Sequence, residues 1–338
     1  MVPDSSTGPL PAGCVKCLRG EKLVLFVTGI CAKKCYYCSL SNRRKMKDAP
    51  FANERKVHGK KDLLLEAERM DATGAGVTGG DPLLKISRTL KLVKALKKKY
   101  GKGFHIHLYT TGELGTPEKF RLLREAGVDE IRFHFNRKEI LDALKLDWVV
   151  GGEIPAIPGN WRETTGYLRF LAKAGAAFCN LNELDWSEGN LWAFKRRGFG
   201  LKARESYAVK GSEEFAKKVL AWARKAVPKL SVHYCSSRTK DAVQVRKRYI
   251  RTAARIKKPF EKIDRDGLLV KGVAEGVRRV PGLGRAQFYN KKKRRVEFSP
   301  KLAKKISGIF PGKVSIVSVA PTSEETEMER LPFRKRKE

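Results

Sequence analysis

The sequence predicts an α/β protein, a parallel sheet coated by helices, with a small, basic, β-rich extension after it. Two observations carry this. Between residues 21 and 226 apolar strand-like runs alternate with amphipathic helical patterns, as βα repeats around a parallel sheet do. Beyond about residue 236 the pattern gives way to basic runs separated by short β-like segments. The expected divisions are a cysteine-bearing segment over 1–20, the α/β domain over 21–236, a basic linker helix over 237–260 and the extension over 261–338.

The first apolar run, Leu23-Val24-Leu25-Phe26-Val27, is a buried strand that delivers the loop beginning at Gly29. Leu63, Leu64, Leu65, Ala67 and Met70 mark an amphipathic helix ending at Gly74. A short strand then leads to Thr78-Gly79-Gly80-Asp81-Pro82. Helices over 86–100, 117–126, 138–146 and 161–174 alternate with strands over 104–111, 130–135, 148–157 and 177–184, and a helix follows over 213–226. That makes six strand-then-helix units. A basic helix over 238–258 has Val243, Tyr249, Ile250, Ala253 and Ile256 opposite its charges. Segments 267–273, 295–298 and 314–319 read as strands, divided by the basic run 291–295, and the end, Arg334-Lys335-Arg336-Lys337, is expected to be disordered.

In 338 residues, 72 Lys and Arg face 36 Asp and Glu, a net charge of +36. Ion-pair networks add both signs together, so such an excess points to an anionic partner. Nucleic acid fits, because each phosphate contact releases counterions. No apolar run approaches the roughly 18 residues of a membrane span. Asp4-Ser5-Ser6-Thr7-Gly8-Pro9 stands where a signal peptide needs an apolar core, so a cytoplasmic protein is expected. Five of seven cysteines precede residue 40, and in a reducing compartment that clustering favours metal ligation over disulfides.

Cys31, Cys35 and Cys38 follow the first strand as C-x3-C-x2-C. Three thiolates close three corners of a [4Fe-4S] cluster and leave one iron open for chemistry; a zinc knuckle, or three unconnected core cysteines, are the alternatives. Cys14 and Cys17, between Pro11-Ala12-Gly13 and Arg19-Gly20, lie in a turn-rich context that suits a metal knuckle. With Cys235 they form a candidate second site, zinc or an auxiliary cluster. Cys179, inside a strand-like run, reads as a core residue. His105 and His107 share one strand face and read as half-buried neighbours of the sheet.

The cysteine spacing, with Tyr37 just before Cys38, resembles the signature of the radical S-adenosylmethionine (SAM) enzymes. Gly79-Gly80-Asp81-Pro82 resembles the Gly-Gly-Glu-Pro motif with which that family holds the methionine end of SAM, here with Asp for Glu. Residues 152–159 look like the Pro-x-x-Pro-Gly strand end of pyruvate formate-lyase activating enzymes, and the likeness, to the archaeal group related to them, spans roughly 14–236. It implies a partial (β/α)6 TIM-like barrel, a [4Fe-4S] cluster, SAM, cleavage to a 5′-deoxyadenosyl radical, and an electron donor such as ferredoxin or flavodoxin. In a parallel barrel ligands meet strand carboxyl ends, which by strand order places Thr111 and Asn136 near the SAM ribose and carboxylate, and Asn182 near adenine or substrate. The charge makes RNA, and tRNA in particular, the expected substrate. A glycyl-radical activating enzyme working on a partner protein is one alternative; a non-catalytic, metal-stabilised RNA-binding protein is another.

Overall fold

The computed structural model describes residues 5–204 and 206–333; the basic run 334–337 lies outside them. The chain forms two compact units, Met1–Glu68 with Ala72–Gln244, and Arg69–Asp71 with Val245–Glu338. The division falls inside the stretch read as a linker helix.

In the first unit the order is α1 (Ala12–Leu18), β1 (Lys22–Phe26), β2 (Phe51–Ala52), β3 (Arg55–Lys56), α2 (Lys60–Arg69), β4 (Gly74–Thr78), α3 (Ile86–Tyr100), β5 (His105–Thr110), α4 (Pro117–Ala126) and β6 (Glu130–Phe133). It continues with α5 (Glu139–Ala143), β7 (Val149–Ala156), α6 (Trp161–Ala174), β8 (Phe178–Glu183), α7 (Leu191–Arg196), α8 (Ser212–Ala226) and β9 (Ser231–Cys235). One sheet runs β3-β2-β1-β4-β5-β6-β7-β8-β9, and every pairing from β1 to β9 along it is parallel.

The helices form where the pattern places them. Thr89, Leu92, Val93 and Leu96 bury one stripe of α3. Thr116 caps α4 by accepting from Lys119 N at 3.2 Å, Pro117 opens it, and Gly127, at φ 104°, closes it in the left-handed conformation. The sheet goes one strand beyond the six units expected: β9 pairs with β8 from Phe178↔Ser231 to Asn182↔Cys235. Ser231-Val232-His233-Tyr234-Cys235 alternates polar and apolar too weakly to stand out in the sequence.

Short segments extend the sheet beyond β1 and β9. The hairpin β2–β3, unforeseen because each strand is two residues long, lies antiparallel beside β1. Along β9, Thr7 N donates to Val232 O at 2.9 Å and Tyr234 N to Ser5 O at 3.2 Å. The N-terminal segment then becomes α1, a helix where a turn-rich knuckle was expected. Gly13 permits it: a Cβ there would lie 2.6 Å from both Arg132 Nη2 and His107 Nδ1.

The second unit holds α9 (Arg246–Ile256), β10 (Lys262–Ile263), β11 (Leu269–Glu275), β12 (Gln287–Asn290), β13 (Arg295–Phe298), α10 (Ala303–Ile309), β14 (Val314–Val319) and β15 (Glu327–Phe333). The antiparallel sheet runs β12-β13-β11-β14-β15, with β10 on β11. Val280, Val296, Phe298, Ile306, Phe310 and Val314 form its core. Lys271 is buried between Glu261 at 2.8 Å and Glu297 at 3.1 Å.

Candidate active site

The cysteine loop leaves β1 and is folded back on itself: Gly29 N donates to Lys47 O and Met46 N to Gly29 O, at 2.8 and 2.9 Å. Asp48 fixes the return. It accepts from Thr28 Oγ1 at 2.9 Å and pairs with Arg88 at 2.5 Å and Lys85 at 2.8 Å, and the bonds from Arg88 and Lys85 hold its carboxyl well below the usual range.

Gly79 and Gly80 run directly beneath this loop. Gly80 N donates to Thr28 O at 2.7 Å and Asp81 N to Ile30 O at 2.9 Å. A Cβ on Gly79, where φ is 151°, would lie 2.3 Å from Thr28 O, and one on Gly80 would lie 2.1 Å from Ile30 O. The two motifs singled out in the sequence are therefore one structural piece, and side chains at either glycine would drive it apart.

Cys31, Cys35, Tyr37, Cys38, Gly79, Gly80, Thr111 and Asn182 line one cavity of about 910 Å³ at the carboxyl ends of the strands. Asp81 and Asn136 stand behind the wall. Asp81, 1 % exposed, accepts from Leu83 N, Thr110 Oγ1, Thr111 N and Thr111 Oγ1 at 3.0, 2.9, 3.0 and 2.5 Å. Its carboxylate is thus filled by the protein and positions Thr111. Asn136 donates to Thr111 O at 3.0 Å and to Glu139 Oε2 at 2.7 Å, and accepts from Ile140 N at 3.0 Å. It braces Thr111 and bonds to the first turn of α5, so any bearing it has on a ligand is through Thr111.

Tyr37 is held by His134, whose Nε2 lies 2.7 Å from the phenol oxygen, while Nδ1 lies 3.1 Å from Glu153 O. A carbonyl only accepts, so Nδ1 carries the proton and Nε2 accepts from Tyr37. Burial, which pushes the His134 pKa down, favours that neutral form. Tyr36 meets Phe199 at 6.5 Å and lies 4.0 Å beneath the Arg197 guanidinium.

Tyr109, Arg132 and Glu153 form the deep part of the cavity. Glu153 Oε2 accepts from Arg132 at 3.0 Å and Asn180 at 2.7 Å, and Oε1 from Asn182 at 2.6 Å. Arg132 Nε also donates to Glu130 at 2.6 Å. Sequence reading gave none of these three a role. The signal was there: polar residues recur with period two at 105, 107 and 109, at 130, 132 and 134, and at 180 and 182, which points one polar face of each strand inward.

Helix α1 meets the same polar interior. Cys14 Sγ accepts from Asn180 Nδ2 at 3.3 Å and Arg132 Nη2 at 3.4 Å. Burial pushes the Cys17 thiol up to about 12, helped by Cys14, and pushes Lys22 down to about 7 and His105 down to about 4. Lys22 Nζ lies 2.7 Å from His105 Nδ1 and donates to His105 O at 2.6 Å. Cys235 ends β9, where Gln244 Nε2 donates to its thiol at 3.6 Å. Cys179 is buried, as the sequence suggested.

Among the described residues no three His, Cys, Asp or Glu side chains converge on a point as ligands of a single ion do. A zinc site built from Cys14, Cys17 and Cys235 needs that convergence, and the Arg132 guanidinium beside Cys14 opposes a cation there. The geometry therefore gives a single zinc ion on those three cysteines no support. A four-iron cluster asks for something else: each thiolate takes a different iron, so thiols spread along one loop at an open cavity fit it.

A parallel barrel with a three-thiol loop at its mouth, joined to a Gly-Gly turn, defines an enzyme that holds an iron–sulfur cluster beside a second ligand. The family model described as the Radical SAM superfamily matches residues 25–137. A protein of Methanocaldococcus jannaschii is 45 % identical over 279 residues, 78 % of this chain and 73 % of the relative; its name, glycyl-radical enzyme activating enzyme MJ0021, is provisional. The chain belongs to the radical SAM superfamily, whose enzymes use a [4Fe-4S] cluster and SAM.

Among solved structures the chain is similar to Streptococcus suis SuiB bound to SAM, at 11 % identity and a TM-score of 0.44, over 64 % of this chain and 50 % of SuiB. It is also similar to methylornithine synthase PylB, at 15 % identity and a TM-score of 0.42, over 63 % of this chain and 66 % of PylB. The chain thus spans about half the length of SuiB. No described helix is long and apolar enough to cross a membrane.

Proposed function

We propose that Cys31, Cys35 and Cys38 hold the cluster, that Gly79, Gly80 and Thr111 seat SAM beside it, and that the enzyme activates a partner protein by removing hydrogen from a glycyl residue. When bound, cluster and SAM supply a 5′-deoxyadenosyl radical that takes one hydrogen atom. Asp81 and Asn136 position Thr111, Tyr37 closes the loop against His134, and Asn182, tied to Glu153, faces whatever enters. The observation that carries this reading is the relationship to the M. jannaschii protein over most of both chains. The cavity, near the upper end of the roughly 300–1,000 Å³ of small-molecule sites, leaves space for a substrate segment beside SAM. An electron donor such as ferredoxin or flavodoxin completes the scheme.

A second reading, hydrogen removal from RNA, is favoured by the net charge of +36. Deuterium separates the two. The reconstituted, reduced enzyme is given SAM and either RNase-treated protein from source cells grown on α-deuterated glycine, or deuterated RNA from the same cells. Deuterium in 5′-deoxyadenosine from the glycine-labelled protein supports activation; deuterium from RNA alone replaces it with the second reading.

A further inference from the structure

The second unit carries a groove that the radical chemistry does not use. It has a volume of about 480 Å³ and is lined by residues 288–293 of the β12–β13 hairpin, by Lys258 and by residues 323–325. Phe288 is 43 % exposed. Phe260 stacks beside it, with ring centroids 6.4 Å apart, and Lys258 Nζ stands 3.7 Å from its ring centroid. Lys291, Lys292 and Arg294 project from the hairpin turn, exposed and without an ion pair among the described residues. Lys293 is tied down through Glu325 O at 2.7 Å, and Arg295, at the end of the run, is buried in ion pairs with Glu297 and Glu327, both at 3.2 Å.

Lys258 is ion-paired with Glu297 at 3.5 Å, which leaves Lys291 and Lys292 as the exposed, unpaired lysines of the lining; with the exposed part of Phe288 they suit a strand of nucleic acid, whose bases stack while its phosphates take the cations. The opposite wall separates this from the other anionic candidate. Glu325 repels the carboxylates of an acidic peptide, whereas the amino and imino groups of a base can donate to it. We propose that this groove binds single-stranded nucleic acid, with a base against the exposed part of Phe288 and phosphates on Lys291 and Lys292. The site belongs to the second unit alone, so the proposal goes beyond the reading of the barrel and does not depend on it.

The test is fluorescence anisotropy on the full chain with a labelled twelve-nucleotide single-stranded RNA across a salt series, and a poly-glutamate peptide as the other probe. Joint Lys291→Gln and Lys292→Gln exchange lowers RNA affinity about tenfold and reduces the slope of log K against log salt by about 1.4, at roughly 0.7 per phosphate contact. Phe288→Ala weakens binding at least about fivefold with an unchanged slope, and Phe288→Tyr restores it, which excludes misfolding as the cause. RNA affinity and slope unmoved by the lysine exchanges would overturn the proposal. So would poly-glutamate binding that equals RNA binding, which would make the groove a protein-docking surface. The deuterium experiment reads the barrel, so either claim can fail while the other stands.

Discussion

Asp81 shows how a motif residue can serve a site without facing it. Its carboxylate gathers Leu83 N and the backbone and hydroxyl groups of Thr110 and Thr111, so two strand ends are held in register by one buried charge. Asp81→Asn replaces an acceptor with a donor where only donors converge. Denaturant unfolding is expected to show a loss of about 1–3 kcal/mol, and equilibrium dialysis a weaker grip on SAM through the displaced Thr111. Unchanged stability would mean that this network is not holding the strand ends. Lys22 gives a second prediction. Burial holds its folded pKa at about 7, against an ordinary 10.5, so between those values the unfolded chain binds more protons than the folded one. Stability therefore rises with pH through that window, by at most about 1.4 kcal/mol per pH unit, and the burial penalty is full below pH 7. Lys22→Met should flatten the rise in denaturant titrations from pH 7 to 10; an identical slope in the variant would place the titration elsewhere.

Among the elements, α1 departs most from expectation. Seven residues that read as a metal knuckle fold as a helix, because Gly13 lets its backbone approach Arg132, His107 and Glu130, and Gly13 N donates to Glu130 Oε2 at 3.1 Å. Gly13→Ala is expected to destabilise the protein by about 1–3 kcal/mol through overpacking, seen as a lower unfolding midpoint. A neutral effect would show that the interior yields easily. Helices such as α3, α4 and α6 were legible because each buries a periodic stripe between clear boundary residues. The hairpin β2–β3, the seventh parallel strand β9 and several strands of the second unit were not, since two-residue strands and weak alternation carry little periodic signal. The cysteine loop and the Gly-Gly turn were legible as motifs. Their contact through Thr28 and Ile30 carbonyls was not, because it is made by backbone across two separate strands.

Across the whole molecule, the first unit gathers polar side chains toward the inside of its sheet and opens at the strand carboxyl ends, where the thiol loop lies. In the lower part of that interior Cys14 and Cys17, read in the sequence as part of a candidate second site, and His105, read as a half-buried neighbour of the sheet, lie with Lys22 in a network of polar groups. Arg132 and Glu153 escaped notice because a residue inside a strand says which face it takes only once neighbouring strands are in register. The second unit is a separate basic module with its own core and its own groove. The account's central claim is that Cys31, Cys35 and Cys38, and not the α1 cysteines, hold the cluster beside SAM. The direct measurement is 5′-deoxyadenosine formed anaerobically from SAM and a strong reductant by the iron-reconstituted wild type, Cys31→Ser, and the joint Cys14→Ser and Cys17→Ser variant. The account predicts product from the wild type and the α1 variant and none from Cys31→Ser; product that survives Cys31→Ser, or no product from the wild type, would contradict it.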